Sequence, residues 1–129
     1  MQGNVRDFVQ LEGAFREAMA GPDGATLVIT GDLVHGPEIP ESQWPEYLGT
    51  FFQADSARVL DRAQALAEEF PGRVHYLLGN HEHAHVGGPV VSKFFANEAL
   101  RLERLMGEAR TAFVREWFRS WPLVAVAPS

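Results

Sequence analysis

Cysteine is absent from the 129 residues, which excludes disulfides and thiolate metal sites. That absence suits a reducing compartment, so a cytoplasmic location is expected. Lysine is nearly absent as well, with Lys93 alone among the arginines. Acidic residues outnumber basic ones by 17 to 11, for a net charge of −6. With no basic excess to neutralise phosphates, nucleic-acid binding is not expected. No apolar run approaches the roughly 20 residues of a membrane-spanning helix, and the N-terminus has no signal-peptide core, so no membrane partner is expected either. What is present is ordinary for a globular chain: 46% hydrophobic and 22% charged residues. The length fits one domain, residues 1–129, able to bury about two-thirds of its unfolded surface.

The pattern alternates helix and strand. In residues 4–19, Phe8, Leu11, Phe15 and Ala18 recur at helical spacing behind Asn4, a suitable N-cap, and "AGPDG" ends the run. "ATLVIT" (25–30) reads as a buried strand. Residues 47–70 carry a long helical stripe, with a break expected near Asp55 and Ser56, and "RVHYLL" (73–78) is the next strand. One or two helices fill 91–119, where the five Arg and three Glu of 101–119 suggest a solvated face, and "LVAVA" (123–127) reads as a last strand. Strands separated by helices imply an α/β fold, a mostly parallel sheet with flanking helices and right-handed crossovers. The strands at 25–30, 73–78 and 123–127 are expected in one sheet, the first two adjacent. In such sheets ligands gather beyond the carboxyl ends of the strands.

Two motifs lie at such ends: "GDLVHGP" (31–37) and "LLGNHEHAH" (77–85). Asp32 offers a carboxylate able to bridge two divalent cations. Asn80 offers an amide oxygen suited to Mn, Mg or Fe and tolerated by Zn. His81 is a further ligand or an acid that protonates a departing alkoxide. Gly31 and Gly79 let the backbone turn sharply, so that these side chains point at a common spot. Two metals close together would activate water and clamp an in-line phosphoryl displacement.

"GDLVHG" followed by an apolar strand and "GNHE" (79–82) resembles the calcineurin-like metallophosphoesterases, whose signature runs D-x-H, then G-D-x-x-D-R-G or a relaxed form, then G-N-H-[DE]. The "GNHE" stretch is fairly specific, whereas "GD" alone is weak. The resemblance implies a partial metallophosphoesterase sandwich that hydrolyses a phosphate ester with divalent Mn, Fe, Zn or Mg. It makes Asp32 the bridging carboxylate, Asn80 a ligand of the second metal, and His81 the general acid. Glu82 takes a supporting acidic position.

The departures also carry expectations. His35, Gly36 and Pro37 stand where the tight motif has Asp-Arg-Gly, which argues against a protein-phosphatase-type site. His35 either contacts phosphate or metal in compensation, or is a solvent-facing loop residue. "MQGN" resembles the tail of D-x-H-G-N, with Gln2 at the histidine position. "WPLVAVAPS" resembles the strand before the next histidine motif. The domain is therefore expected to be incomplete at both ends, with a sheet edge open to self-association. His83 and His85 are candidate accessory ligands, though a polar loop is the favoured reading. His75, inside a strand, reads as a packed or edge residue rather than a ligand. Two functions remain open: a metal-dependent phosphoesterase or a piece of one, and an inactive remnant that acts through protein contacts.

Overall fold

The computed structural model describes residues 1–90, 92, 93 and 96–127. The first helix, α1 (Val5–Met19), starts where the Asn4 side chain accepts a hydrogen bond from the Asp7 N–H at 3.2 Å. Its buried stripe of Phe8, Glu12 and Phe15 faces α2 (Ser56–Glu69). Between them runs β1 (Leu27–Ile29), and after α2 comes β2 (Val74–Tyr76). The two strands pair in parallel, Leu27 opposite Val74 and Ile29 opposite Tyr76. A parallel pair needs a crossover, and α2 supplies it. Beyond β2 lie a single helical turn, α3 (Asn80–His83), then α4 (Glu98–Met106) and α5 (Glu108–Arg119).

The core follows from these stripes. Phe8 and Phe15 of α1 meet Val59, Leu60, Ala63 and Leu66 of α2, Ile29 and Tyr76 of the sheet, and Val114 and Phe118 of α5. Tyr76 stays satisfied there because its hydroxyl donates to the Ala63 carbonyl at 2.6 Å. Ion pairs knit the helices outside the core: Arg62 grips Glu12 through two bonds of 2.9 and 3.2 Å, and Arg110 reaches Asp61 at 2.7 Å. No described helix is long and apolar enough to cross a membrane.

Three expectations need correction. The stripe over 47–70 is helical only from Ser56. Pro45 opens a 3₁₀ turn (Glu46–Leu48) instead, and the Asp55 carboxylate caps α2 by accepting from the Arg58 N–H. The expected strands are shorter at both ends than their apolar runs. Residues 123–127 form no strand, and the sheet has two strands among the described residues. Leu123, Val124 and Val126 are exposed; the Leu78 N–H bond to the Pro122 carbonyl reaches only the residue before them. High β-propensity does not make a strand without a ladder to join. Of the helical span expected over 91–119, residues 91, 94 and 95 lie outside the described residues.

Candidate metal centre

The site begins where β1 and β2 end side by side. Gly31, at φ +92°, passes so close to the second turn that a Cβ there would lie 2.5 Å from the Gly79 nitrogen. A Cβ on Gly79 would in turn lie 2.4 Å from Asp32 Oδ1. Only glycine lets the two turns touch. Asp32 (φ 56°) and His35 (φ 68°) are both left-handed, an unusual conformation for residues with side chains and one that functional loops often hold. Between them Leu33 and Val34 bury their side chains completely, which drags the loop backbone out of water.

Glu82 resolves that burial. Its fully buried carboxylate accepts from the N–H groups of Asp32 (2.6 Å), Leu33 (3.0 Å), Val34 (3.4 Å) and Gly79 (3.2 Å). Burial pushes this carboxyl up to about 7, opposed by the backbone bonds it accepts. Glu82 thus ties the first motif to the second. On the loop's surface side, Asp32 Oδ1 accepts from the His81 N–H at 3.2 Å. The Asn80 amide lies 3.1 and 3.2 Å from the two Asp32 oxygens. Nitrogen inward, it donates to them. Oxygen inward, it joins the carboxylate in facing a cation.

Beneath this pair the histidines gather. His35, His81 and His85 are all buried, so His35 is not the solvent-facing residue that was one of its two readings. His85 likewise belongs to the interior rather than to a polar loop. His35 Nε2 meets His85 Nε2 at 2.8 Å, and His85 Nδ1 meets Glu103 Oε1 at 3.0 Å. Arg115 grips the same Glu103 carboxylate at 2.8 and 2.5 Å. His81 Nε2 lies 3.4 Å from the Gln2 amide nitrogen. His83, by contrast, is exposed and packs against Gly88, away from the cluster. His75 is exposed on β2, bonded to the Gly72 carbonyl at 3.2 Å.

Glu98, the first residue of α4, completes the centre. Its Oε2 faces His35 Nδ1 at 3.6 Å and His81 Nδ1 at 3.8 Å. These three buried residues could hold a metal ion, their ligand atoms all lying within 4.8 Å of one another. Both Nδ1 atoms are buried without a hydrogen-bond partner. Burial, reinforced by His85 and His81, pushes His35 down to about 3. Burial also lowers His81, against Asp32 and Glu98, and lowers His85, against Glu103. The rings are held neutral, the form that binds metal. Sequence reasoning missed Glu98. The available signal was a carboxylate on the buried stripe of α4, four residues before Leu102, where a helix ordinarily places an apolar side chain.

The sequence model of the family described as calcineurin-like phosphoesterase matches residues 2–128. This chain is a calcineurin-like phosphoesterase family member. No curated protein and no solved structure matches it significantly. The family works on phosphoesters with metal ions, and the calcineurin-like chain described here carries acceptor groups suited to a cation at the carboxyl ends of its paired strands.

Proposed function

We propose that the chain hydrolyses a phosphoric ester with a divalent ion held by Asp32 and Asn80. The observation that carries the reading is the meeting of those two side chains, 3.1–3.2 Å apart, where β1 and β2 end. The donor set fits the ion: a carboxylate and an amide oxygen are hard ligands suited to Mn, Mg, Fe or Zn. When bound, such an ion supplies positive charge for the phosphoryl oxygens and acidifies the attacking water.

The chain's own groups do the rest. Asp32 and Asn80 would hold the ion at the strand ends, where its charge would receive the ester's phosphate. His81, whose backbone N–H is fixed on Asp32, takes up a proton when the anionic phosphate enters and, as the imidazolium, gives it to the departing oxygen. The left-handed turn at Asp32, held by Glu82, keeps that carboxylate from swinging away.

The test is metal content together with Mn²⁺-stimulated hydrolysis of p-nitrophenyl phosphate and of an alkyl phosphate. Asp32→Ala should abolish turnover. His81→Ala should slow the alkyl ester by roughly 10²–10⁴-fold, the range for a positioned general acid, and the nitrophenyl ester far less. Equal losses on both esters would remove the proton-donor role. Absence of metal-dependent hydrolysis by the wild-type chain would sink the reading and favour the inactive scaffold.

A further inference from the structure

The proton bookkeeping of the histidine cluster leads beyond the Asp32–Asn80 pair. Glu103 accepts two bonds from Arg115, so it is an acceptor toward His85 as well. His85 must then carry its hydrogen on Nδ1, which leaves Nε2 as a lone pair. The 2.8 Å contact between the two Nε2 atoms needs one hydrogen, and His35 must provide it. A neutral His35 therefore has a bare lone pair on Nδ1, aimed at the carboxylate oxygen of Glu98 at 3.6 Å. Two acceptors turned toward each other in a buried place are unfavourable unless something positive stands between them. At His81 the Gln2 amide nitrogen donates to Nε2 at 3.4 Å. Nδ1 therefore carries the hydrogen toward Glu98 at 3.8 Å and must release it, with the Gln2 amide turned over, to take a cation.

We propose that His35 Nδ1, His81 Nδ1 and Glu98 Oε2 form a second cation site, distinct from Asp32 and Asn80, in which the tautomer of His35 is set by Glu103 through His85. Two neutral imidazoles and a carboxylate are a donor set for a divalent transition metal, Zn²⁺, Fe²⁺ or Mn²⁺. Ligand atoms about 2.0–2.1 Å from a tetrahedral zinc lie about 3.4 Å apart. The observed 3.6 and 3.8 Å to Glu98 need a contraction of a few tenths of an ångström, and the two rings, whose donor atoms lie within 4.8 Å, must close on each other as well. The relay behind His35 matches the outer shell that metal-binding histidines require, a second ring nitrogen held by a partner that ends in a carboxylate. A cavity of about 190 Å³, lined in part by His35, Ser56 and Glu98, lies beside two of the three donor residues and leaves room for a further ligand.

This inference does not depend on the phosphoesterase reading, and its test uses no turnover. Metal-stripped chain is titrated with Co²⁺ and followed by visible absorption. Asp32→Asn should retain one equivalent with the intense bands of a low-symmetry site. Glu98→Gln and His35→Asn should each lose that equivalent. His85→Ala should weaken it by about 10–100-fold, as removal of an outer-shell partner does. Loss of all Co²⁺ binding in Asp32→Asn, or binding unchanged in both Glu98→Gln and His35→Asn, would overturn the proposal. Should those variants fail to fold, long-range ¹H–¹⁵N spectra of the metal-free wild type decide. The expected hydrogens are on Nδ1 of His85 and Nε2 of His35. A hydrogen on His35 Nδ1 would refute the relay.

Discussion

Two buried carboxylates, Glu82 next to His81 in the chain and Glu98 facing it from α4, have surroundings that differ in kind. Glu82 receives four backbone N–H groups, all from the two turns that follow the strands. Glu98 faces imidazole nitrogens that have no hydrogen-bond partner. A polar group surrounded by matched donors is a structural fastening. A lone pair such as that of His35 Nδ1, turned toward a carboxylate, is what a protein builds when it expects a cation. The comparison separates what holds the site together from what the site is for.

The largest expected effect breaks the fastening. Glu82→Gln keeps one acceptor oxygen but turns an amide N–H₂ toward N–H groups that are already buried. Leaving such donors unsatisfied should cost about 3–5 kcal/mol, read from urea denaturation. In metal-free protein, Glu98→Gln should cost under about 1 kcal/mol, because its amide can donate to a bare Nδ1. Similar losses for both would erase the distinction.

The next effect sharpens the other side of the comparison. Zn²⁺ at a hundred times its dissociation constant should stabilise the wild-type chain by about 2.7 kcal/mol. For a chain of this length that corresponds to a rise in Tm of roughly 6–12 °C. Asp32→Asn should keep much of the rise and His35→Asn should lose most of it. A rise that survives His35→Asn would place the stabilising ion elsewhere.

A third effect concerns Gly36, whose place beside His35 is fixed from outside the loop. A Cβ there would lie 1.9 Å from the Gln2 carbonyl oxygen. The N-terminal segment is otherwise pinned to the same loop, by Gln2 N–H to the Asp32 carbonyl at 2.9 Å and Gly3 N–H to the Leu33 carbonyl at 2.6 Å. Gly36→Ala should push this segment off, at a cost of about 1–3 kcal/mol from overpacking. It should also uncover His81, seen as faster hydrogen exchange at the Gln2 and Gly3 amides. An unchanged exchange rate there would mean that the segment does not cover the site.

Part of this could be read from the chain and part could not. Helix-length spacing and glycine-terminated apolar runs were enough to place β1 and β2 parallel and adjacent, and so to bring Asp32 and Asn80 together. Local pattern carries that information because each strand needs only its own run and its own turn. Glu98 is different. It reaches His81 from α4, and nothing near it in sequence marks it except its place on a buried stripe. The burial of His35 and His85 was equally hidden, since it depends on α4 and α5 closing over the strand ends. The 123–127 run failed for the opposite reason: its local pattern was right for a strand, and pairing, which is not local, was missing.

The smallest expected effect tests the relay through Glu103, where pH gives a signature that packing alone would not. Burial alone would raise the Glu103 carboxyl, but its bonds from Arg115 and His85 outweigh that and hold it below the usual carboxylate value. The unfolded chain therefore takes up this proton at higher pH than the folded one. It follows that the stability from this group is fully present above about pH 4.5 and is lost as pH falls through the lowered folded value. Glu103→Gln should cost about 1–2 kcal/mol at pH 7, the scale of a charge-assisted hydrogen bond at a largely buried carboxylate. The gap between wild type and variant should close as pH falls below about 4.5. Denaturation midpoints of the two proteins from pH 7 down to pH 3 measure it. A gap that stays constant across that range would show that Glu103 acts by filling space, and would leave the tautomers of His85 and His35 without the charge that sets them.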